Sequence, residues 1–146
     1  MEAQIRSTMR SAMRKLLSDT LAKETLTDRD IGWIRSLCSE LVARINSLTP
    51  NRPDLHAQLE SQFDTDLIVQ MLSNGAFERS DAMQATDAIL GRIAMLCSPS
   101  QDKKVETLRS DAERGLHDIG ELIFEAHALV DEIEDLAAAA KATLGI

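Results

Sequence analysis

The sequence contains no tyrosine, and it has only three prolines and six glycines in 146 residues. Tyrosine and β-branched residues are enriched in strands, and glycine and proline mark the turns between short strands, so their scarcity argues against a sheet protein. Hydrophobic residues make up 44% of the chain, although aromatic residues make up only 3%. Leucine, alanine, methionine, glutamate and arginine dominate, and they lose little on entering a helix. The composition therefore predicts an all-α fold, a helical bundle of about five to six helices.

Two further absences concern the compartment. No apolar run approaches the roughly 20 residues of a membrane-spanning helix, and no secretory segment opens the chain. Cys38 and Cys97 lie far apart in apolar helical stretches, which favours two buried reduced thiols over a disulfide. We expect a cytoplasmic protein, with organellar import as the alternative because the chain begins with a basic amphipathic segment.

Motifs for catalysis and for cofactor or metal binding are also missing. There is no phosphate-binding glycine loop, no nucleophile elbow and no metalloprotease helix motif. His117, Glu121 and Glu125 recur at four-residue steps, as ligands on a bundle helix could, but no Glu-x-x-His motif is present to complete a di-iron site. We therefore predict no enzyme, no cofactor, and no catalytic or metal-binding residue.

Charge is distributed unevenly along the chain. The net charge of −8 argues against nucleic-acid binding, which requires clustered Lys and Arg to neutralise phosphates. Residues 1–17 nevertheless carry a balance of +3, whereas residues 105–146 carry −7. The acidic C-terminal region is therefore either a solubilising surface or a docking surface for a basic partner or for the first helix of the chain itself.

The pattern indicates a single helical domain over residues 1–146 with three parts. Residues 1–24 form a basic amphipathic helix, residues 28–100 form the helical core, and residues 102–143 form one long helix with a heptad pattern. Thr27 or Asp28 is predicted to cap the second helix. The segment that follows Pro53 is predicted to be either one helix or two helices with a bend near Phe63–Asp64. Asn74-Gly75 supplies a left-handed helix stop.

The first helix permits more than one interpretation. Its apolar stripe, Ile5, Met9, Ala12, Met13, Leu16 and Leu17, is expected to dock on the domain. The arginines at every fourth position are then solvated or face the acidic C-terminal helix. Membrane-surface binding is an alternative, because basic amphipathic helices also lie on anionic lipids.

The last helix carries three apolar positions per heptad, more than a two-stranded coiled coil requires, and at that length it would project beyond a compact body. A projecting apolar stripe predicts a protein partner or self-association through this helix. The candidate partner-binding residues are Leu122, Leu129, Val130, Ile133 and Leu136 of this helix, together with Arg6, Arg10 and Arg14 of the first.

The central region also carries a set of residues at characteristic spacing: Asp66, Leu67, Ile68 and Gln70, then Gly75 and Ala76, then Met95 to Pro99, followed by Asp102 and Val105. Over residues 34–110 this set resembles the T-complex protein 11 family, although Gln101 stands where the family usually carries an Arg-Asp pair. The resemblance implies a helical protein without recognised catalytic residues, of a family associated with signalling through cyclic-AMP-dependent kinase. Together with the apolar stripe, it predicts a non-enzymatic interaction module, an adaptor, scaffold or assembly subunit. The alternatives are a membrane-peripheral protein and a metal-binding bundle enzyme.

Overall fold

The computed structural model describes residues 2–23, 25–96, 99–113 and 119–144. All regular structure within these ranges is helical, so the all-α prediction is confirmed. The helices are α1 (Glu2–Leu21), α2 (Asp28–Ser47), α3 (Pro53–Gln62), α4 (Thr65–Ser73), α5 (Arg79–Leu96), α6 (Pro99–Glu113) and α7 (Ile119–Leu144).

A reciprocal pair of hydrogen bonds determines where α2 begins. The Thr27 hydroxyl accepts a hydrogen bond from the Asp30 backbone N–H at 3.1 Å, and the Asp30 carboxylate accepts one from the Thr27 N–H at 3.0 Å. This capping box satisfies two donors that the start of a helix leaves without partners. Of the two predicted caps, the structure therefore selects Thr27 over Asp28.

The segment after Pro53 is two helices that meet at the predicted bend. The Asp64 side chain accepts a hydrogen bond from the Leu67 backbone N–H at 3.2 Å and so starts α4. After α4, Gly75 has a φ of 66°, the left-handed conformation that glycine adopts without a steric penalty. The predicted helix stop at Gly75 is therefore confirmed.

Helix α7 lies at the centre of the bundle. It packs against α1, α2 and α5, and α5 also packs against α3 and α6. Burying a large aliphatic side chain contributes roughly 1.5–3 kcal/mol, so the apolar faces around α7 supply much of the driving force for folding. The buried apolar residues of α7 are Ile119, Leu122, Ile123, Phe124, Ala126, Leu129 and Val130.

The predicted long C-terminal helix is present as α7, but its predicted extent over residues 102–143 is wrong because this stretch contains parts of both α6 and α7. On one straight helix, residues 104 and 132 would be about 42 Å apart at 1.5 Å per residue. Instead, Lys104 Nζ lies 2.7 Å from Glu132 Oε1, and Gln101 Nε2 donates to Glu132 Oε2 at 3.0 Å. The two helices therefore lie side by side. A heptad pattern specifies the buried face of each helix, but two helices can share one uninterrupted pattern.

Candidate protein-interaction surface

The described arginine side chains of α1 face α7. Arg10 Nη1 lies 2.6 Å from Asp131 Oδ2. Arg14 Nη2 binds Glu125, and Arg14 Nη1 lies 3.7 Å from Glu121 Oε2. Of the interpretations left open for the acidic C-terminal helix, the structure therefore supports binding of the chain's own first helix through these two arginines.

Asp131 joins three helices, because its carboxylate binds arginines from both α1 and α2. Arg44 Nη2 lies 2.5 Å from Asp131 Oδ1 and 3.2 Å from Glu134 Oε2. Burial by itself raises the pKa of Asp131, but the hydrogen bond from Arg44 and the charges of Arg10 and Arg44 outweigh burial and hold that pKa below its ordinary value. Asp131 is therefore ionised at neutral pH and holds α1 and α2 against α7.

His127 is buried beside the same cluster. Arg44 Nη1 lies 2.9 Å from His127 Nδ1, and because a guanidinium can only donate, Nδ1 must accept and Nε2 carries the proton. Burial, followed by the positive charge of Arg44, lowers the pKa of His127, so the ring is neutral at pH 7. His127 is 5% exposed, and the charge of Glu40 and the Leu37 backbone oppose this lowering of its pKa only in part.

An apolar stripe on α1 is exposed to solvent. Ile5, Met9, Met13 and Leu16 follow one another at steps of four, four and three residues, and they are 55%, 61%, 36% and 58% exposed. The expectation that this stripe docks on the domain is wrong for these four residues, and only Leu17 next to them is fully buried. The ion pairs with α7 fix the rotation of α1 about its axis, so its charged side faces inward. We call these four residues the α1 stripe.

The α1 stripe borders a groove. Helices α1 and α2 each pack against α7, and cavities lined by residues of both helices mark a channel between them. The channel holds two cavities of about 230 and 670 Å³ whose linings share Met13. We call this channel the α1–α2 groove. Its α1 wall is Met9, Met13 and Leu16, its α2 wall is Trp33, Leu37 and Glu40, and its floor is Phe124 and His127 of α7.

The candidate partner-binding residues of α7 are mostly part of the core. Leu122 is 5% exposed, Leu129 is 4% exposed and Val130 is fully buried, so the prediction that they form a contact surface of the folded chain is wrong. Ile133 is partly buried against the core, and Leu136 is 50% exposed. Helices α1, α2 and α5 pack against α7 and bury its stripe as far as Val130. Residues 134–143 at the far end of α7, which was the part expected to project, are exposed.

The candidate arginines are not free partner-binding charges either. Arg10 and Arg14 are engaged by the carboxylates of α7. The side chain of Arg6 lies outside the described residues.

The α2 side of the groove was not foreseen as a surface. The structure buries Ile34 at 1% exposure, whereas its neighbour Trp33 lines the groove and is only partly buried. Adjacent positions differ by about 100° around a helix, so both cannot face the same core. Arg44 carried no signal of its own, because its role depends on α7 lying beside α2.

The described residues also bear on the chemistry considered above. They contain no cluster of three side chains suited to a metal ion. Cys38 is a free, buried thiol, and burial raises its pKa to about 12, whereas Cys97 and His117 lie outside the described residues. His56 Nε2 donates to the Thr49 carbonyl at 2.7 Å and so ties α3 to the preceding loop. None of the helices, as far as they are described, combines the length and apolar character needed to cross a membrane.

The fold and the surface define an all-α bundle protein whose first helix exposes an apolar stripe. The family model of T-complex protein 11 matches residues 1–138. The chain therefore belongs to the T-complex protein 11 family, and the match extends well beyond the predicted resemblance over residues 34–110. The matched range contains the α1 stripe, both walls of the groove and Asp131. The comparisons with curated proteins and with solved structures gave no match.

Proposed function

We propose that this chain is a non-enzymatic helical module that binds another protein, as an adaptor, scaffold or assembly subunit in the cytoplasm. The observation that carries the proposal is the exposure of the α1 stripe, a row of large apolar side chains about three turns long. Contiguous exposed apolar patches of this kind mark interaction sites, because covering them gains roughly 25 cal/mol per Å² of apolar area. The free thiol of Cys38 agrees with a reducing compartment.

The attachment of α1 supports this function, because the stripe is presented on an anchored helix. Leu17 is fully buried at one end of the helix, and Arg10 and Arg14 bind α7 further along it. A stripe on an ordered helix loses less conformational entropy on binding than the same residues would in a disordered segment. Helix α1 is therefore suited to act as a preorganised contact surface.

The same ion pairs weaken the membrane-peripheral alternative. Binding of an amphipathic helix to anionic lipids uses basic residues that are free to meet the headgroups. The charges of Arg10 and Arg14 are instead compensated by Asp131, Glu125 and Glu121. We therefore propose a protein partner.

The test is a variant with Met9→Asp and Leu16→Asp, the two most exposed positions of the groove wall on α1. The tagged chain and this variant are captured from native cells, bound proteins are identified by mass spectrometry, and the main partner is purified and titrated against both chains. We expect the variant to lose at least tenfold in affinity, which corresponds to about 1.4 kcal/mol. Circular dichroism verifies that the variant is folded.

The matched control is Leu67→Asp with Met95→Asp, which changes two apolar residues that are 50% and 68% exposed on α4 and α5. This control should bind the partner as the wild type does. Equal affinity of the wild type and the α1 variant for the partner contradicts the proposal. The proposal also fails if the wild-type chain binds anionic vesicles and captures no protein.

A further inference from the structure

The loop between α2 and α3 places a hydroxyl group, a proline and an arginine at a fixed spacing, Thr49-Pro50-Asn51-Arg52. We propose that Thr49 is a phosphorylation site for a proline-directed protein kinase. Such a kinase selects proline directly after the target residue, and many of the class also select a basic residue at the third position after it. The proposal does not depend on the protein-binding function proposed above.

The spacing of the loop residues meets both requirements of this kinase class. Proline after the target is acceptable where the kinase makes no hydrogen bond to a backbone N–H, because proline has none. Arg52 supplies a permanent positive charge at the third position. The other hydroxyl-proline pair of the sequence is Ser98-Pro99, and the third residue after Ser98 is the uncharged Gln101. Thr49 is therefore the one residue of the sequence that has both determinants.

The residues that a kinase would read lie on the surface. Pro50, Asn51 and Arg52 are exposed, and Thr49 is partly exposed. The Arg52 side chain binds the neighbouring Asp54 through Nε at 3.0 Å and through Nη2 at 2.8 Å, and the two side chains are 58% and 63% exposed. Ion pairs between exposed side chains are weak and are screened by salt, so a carboxylate of the kinase can replace Asp54.

Thr49 is tied to its neighbours through its backbone. Its N–H donates to the Asn46 carbonyl at 3.1 Å, and its carbonyl accepts hydrogen bonds from the Arg52 N–H at 3.2 Å and from His56 Nε2 at 2.7 Å. None of these three bonds uses the Thr49 hydroxyl. A phosphoryl group on Oγ1 therefore replaces none of them.

The backbone of the loop is suited to the extended conformation in which kinases bind their target segment. Thr49 and Arg52 each precede a proline, and the residue before a proline is disfavoured in the helical region. Arg52 accordingly has a φ of −124° and a ψ of 74°. Helix α2 ends at Ser47 and α3 begins at Pro53, so no helix has to unwind for residues 48–52 to be bound. Exposed loops of this kind open locally at a low cost in free energy.

The reaction needs ATP and the kinase as co-reactants. The Thr49 hydroxyl oxygen forms a bond to the γ-phosphorus of ATP, the bond from that phosphorus to the leaving oxygen of ADP breaks, and the hydroxyl proton passes to the catalytic carboxylate of the kinase. The phosphate carries a charge of about −1.5 to −2 at pH 7. The start of α3 has no side-chain cap and favours this charge, whereas the end of α2 disfavours it. The phosphorylated chain should therefore keep its fold.

The test incubates the 146-residue chain with magnesium, ATP and a purified cyclin-dependent kinase that requires proline after its target, and mass spectrometry locates the phosphate. We expect one phosphate, on Thr49, and an unchanged helical circular dichroism signal. Thr49→Val should abolish the reaction. Pro50→Ala and Arg52→Gln should each lower its initial rate by about tenfold or more, whereas Arg52→Lys should restore most of the rate. Ser98→Ala is the matched control and should react as the wild type does.

A peptide of residues 43–57 measures the same reaction without the fold. Because an exposed loop opens at low cost, the folded chain should react within about tenfold of the initial rate of the peptide. A larger deficit overturns the proposal, because the bundle then protects Thr49. Phosphorylation mainly on Ser98, no phosphorylation of chain or peptide, or loss of the helical signal during the reaction also overturns it.

The tagged chain captured from native cells provides the second test. Cells are lysed with phosphatase inhibitors, and the peptide that contains Thr49 is recovered with and without enrichment for phosphate. We expect a phosphorylated form of this peptide. Recovery of the unphosphorylated peptide alone overturns the proposal. Neither test involves the α1 stripe, so failure here leaves the proposed function in place.

Discussion

Replacing Asp131 with asparagine should remove the negative charge that binds α1 and α2 to α7, while the volume of the side chain stays nearly the same. The wild-type carboxylate binds Arg10 at 2.6 Å and Arg44 at 2.5 Å. An asparagine amide keeps one oxygen acceptor but has no charge, and it presents an NH₂ group to one of the two guanidinium groups. One arginine is then left against a donor in a partly buried site.

The magnitude follows from the exposure of the three side chains. Hydrogen bonds to charged groups contribute about 1.5–3 kcal/mol each, whereas fully exposed ion pairs contribute about 0–1 kcal/mol. Asp131, Arg10 and Arg44 are 17%, 23% and 20% exposed, so the pairs lie between these limits. Arg44 also keeps its contacts with Glu134 and His127. We expect Asp131→Asn to reduce the free energy of unfolding by about 2 kcal/mol.

The assay is urea denaturation at pH 7, followed by helical circular dichroism and by Trp33 fluorescence. The matched control is Glu134→Gln, because Glu134 binds the same Arg44 nitrogen at 3.2 Å but is 45% exposed. This control should cost about 0.5 kcal/mol or less. A loss for Asp131→Asn no larger than that for Glu134→Gln would refute the role of Asp131 as the joint of three helices.

The pH dependence checks the same reasoning. The native pKa of Asp131 is lowered, so its stabilisation is fully present above the unfolded pKa of about 3.9 and is lost as the pH falls through the native pKa. The stability difference between the wild type and Asp131→Asn should therefore be constant from about pH 5 to 7 and narrow below about pH 4. An undiminished difference at pH 2 would show that the charge of Asp131 is not the cause.

Three further predictions concern buried groups. The native pKa of His127 is lowered, so the free energy of unfolding should fall as the pH drops below about 6.5. His127→Gln should make the free energy of unfolding in urea less dependent on pH between about pH 7.5 and 5.5. If this free energy changes equally with pH in the wild type and the variant, His127 is not the cause. Leu129→Ala should reduce the free energy of unfolding by about 2–5 kcal/mol and Leu136→Ala by about 0.5 kcal/mol or less, because Leu129 is buried and Leu136 is half exposed. Similar losses for the two variants in urea denaturation would contradict this difference in burial. In a Cys97→Ser background, Cys38 should react with a thiol reagent at pH 8 only after urea unfolds the chain, because burial raises the pKa of Cys38 to about 12. Rapid labelling of Cys38 in the native chain would contradict this prediction.

Features that depend on neighbouring residues could be predicted from the sequence. The cap at Thr27, the bend at Phe63–Asp64 and the left-handed stop at Gly75 each depend on contacts or dihedral angles within a few residues. The all-α class also followed from composition. The attraction between the basic first helix and the acidic last helix was one of two open interpretations, and the structure supports it through Arg10 and Arg14.

The location of the exposed surface could not be predicted in this way. The heptad pattern identified Leu122, Leu129 and Val130 as apolar, but whether an apolar stripe meets a partner or the core depends on which helices pack around it. The same limit applied to the first helix, whose apolar stripe was expected to be buried. Its rotation is set by distant carboxylates such as Asp131, and periodicity within α1 carries no information about them.

The sequence by itself determined that this chain is helical, where its caps and one of its bends lie, and which residues are apolar, because these properties arise from single residues and their near neighbours. Only the tertiary structure decided that α7 is the centre of the core, that residues 102–143 belong to two helices, and that α1 turns its apolar stripe outward. Each of these depends on contacts between residues far apart in the chain. The ion pair of Arg10 with Asp131, which fixes the orientation of α1, is one such contact.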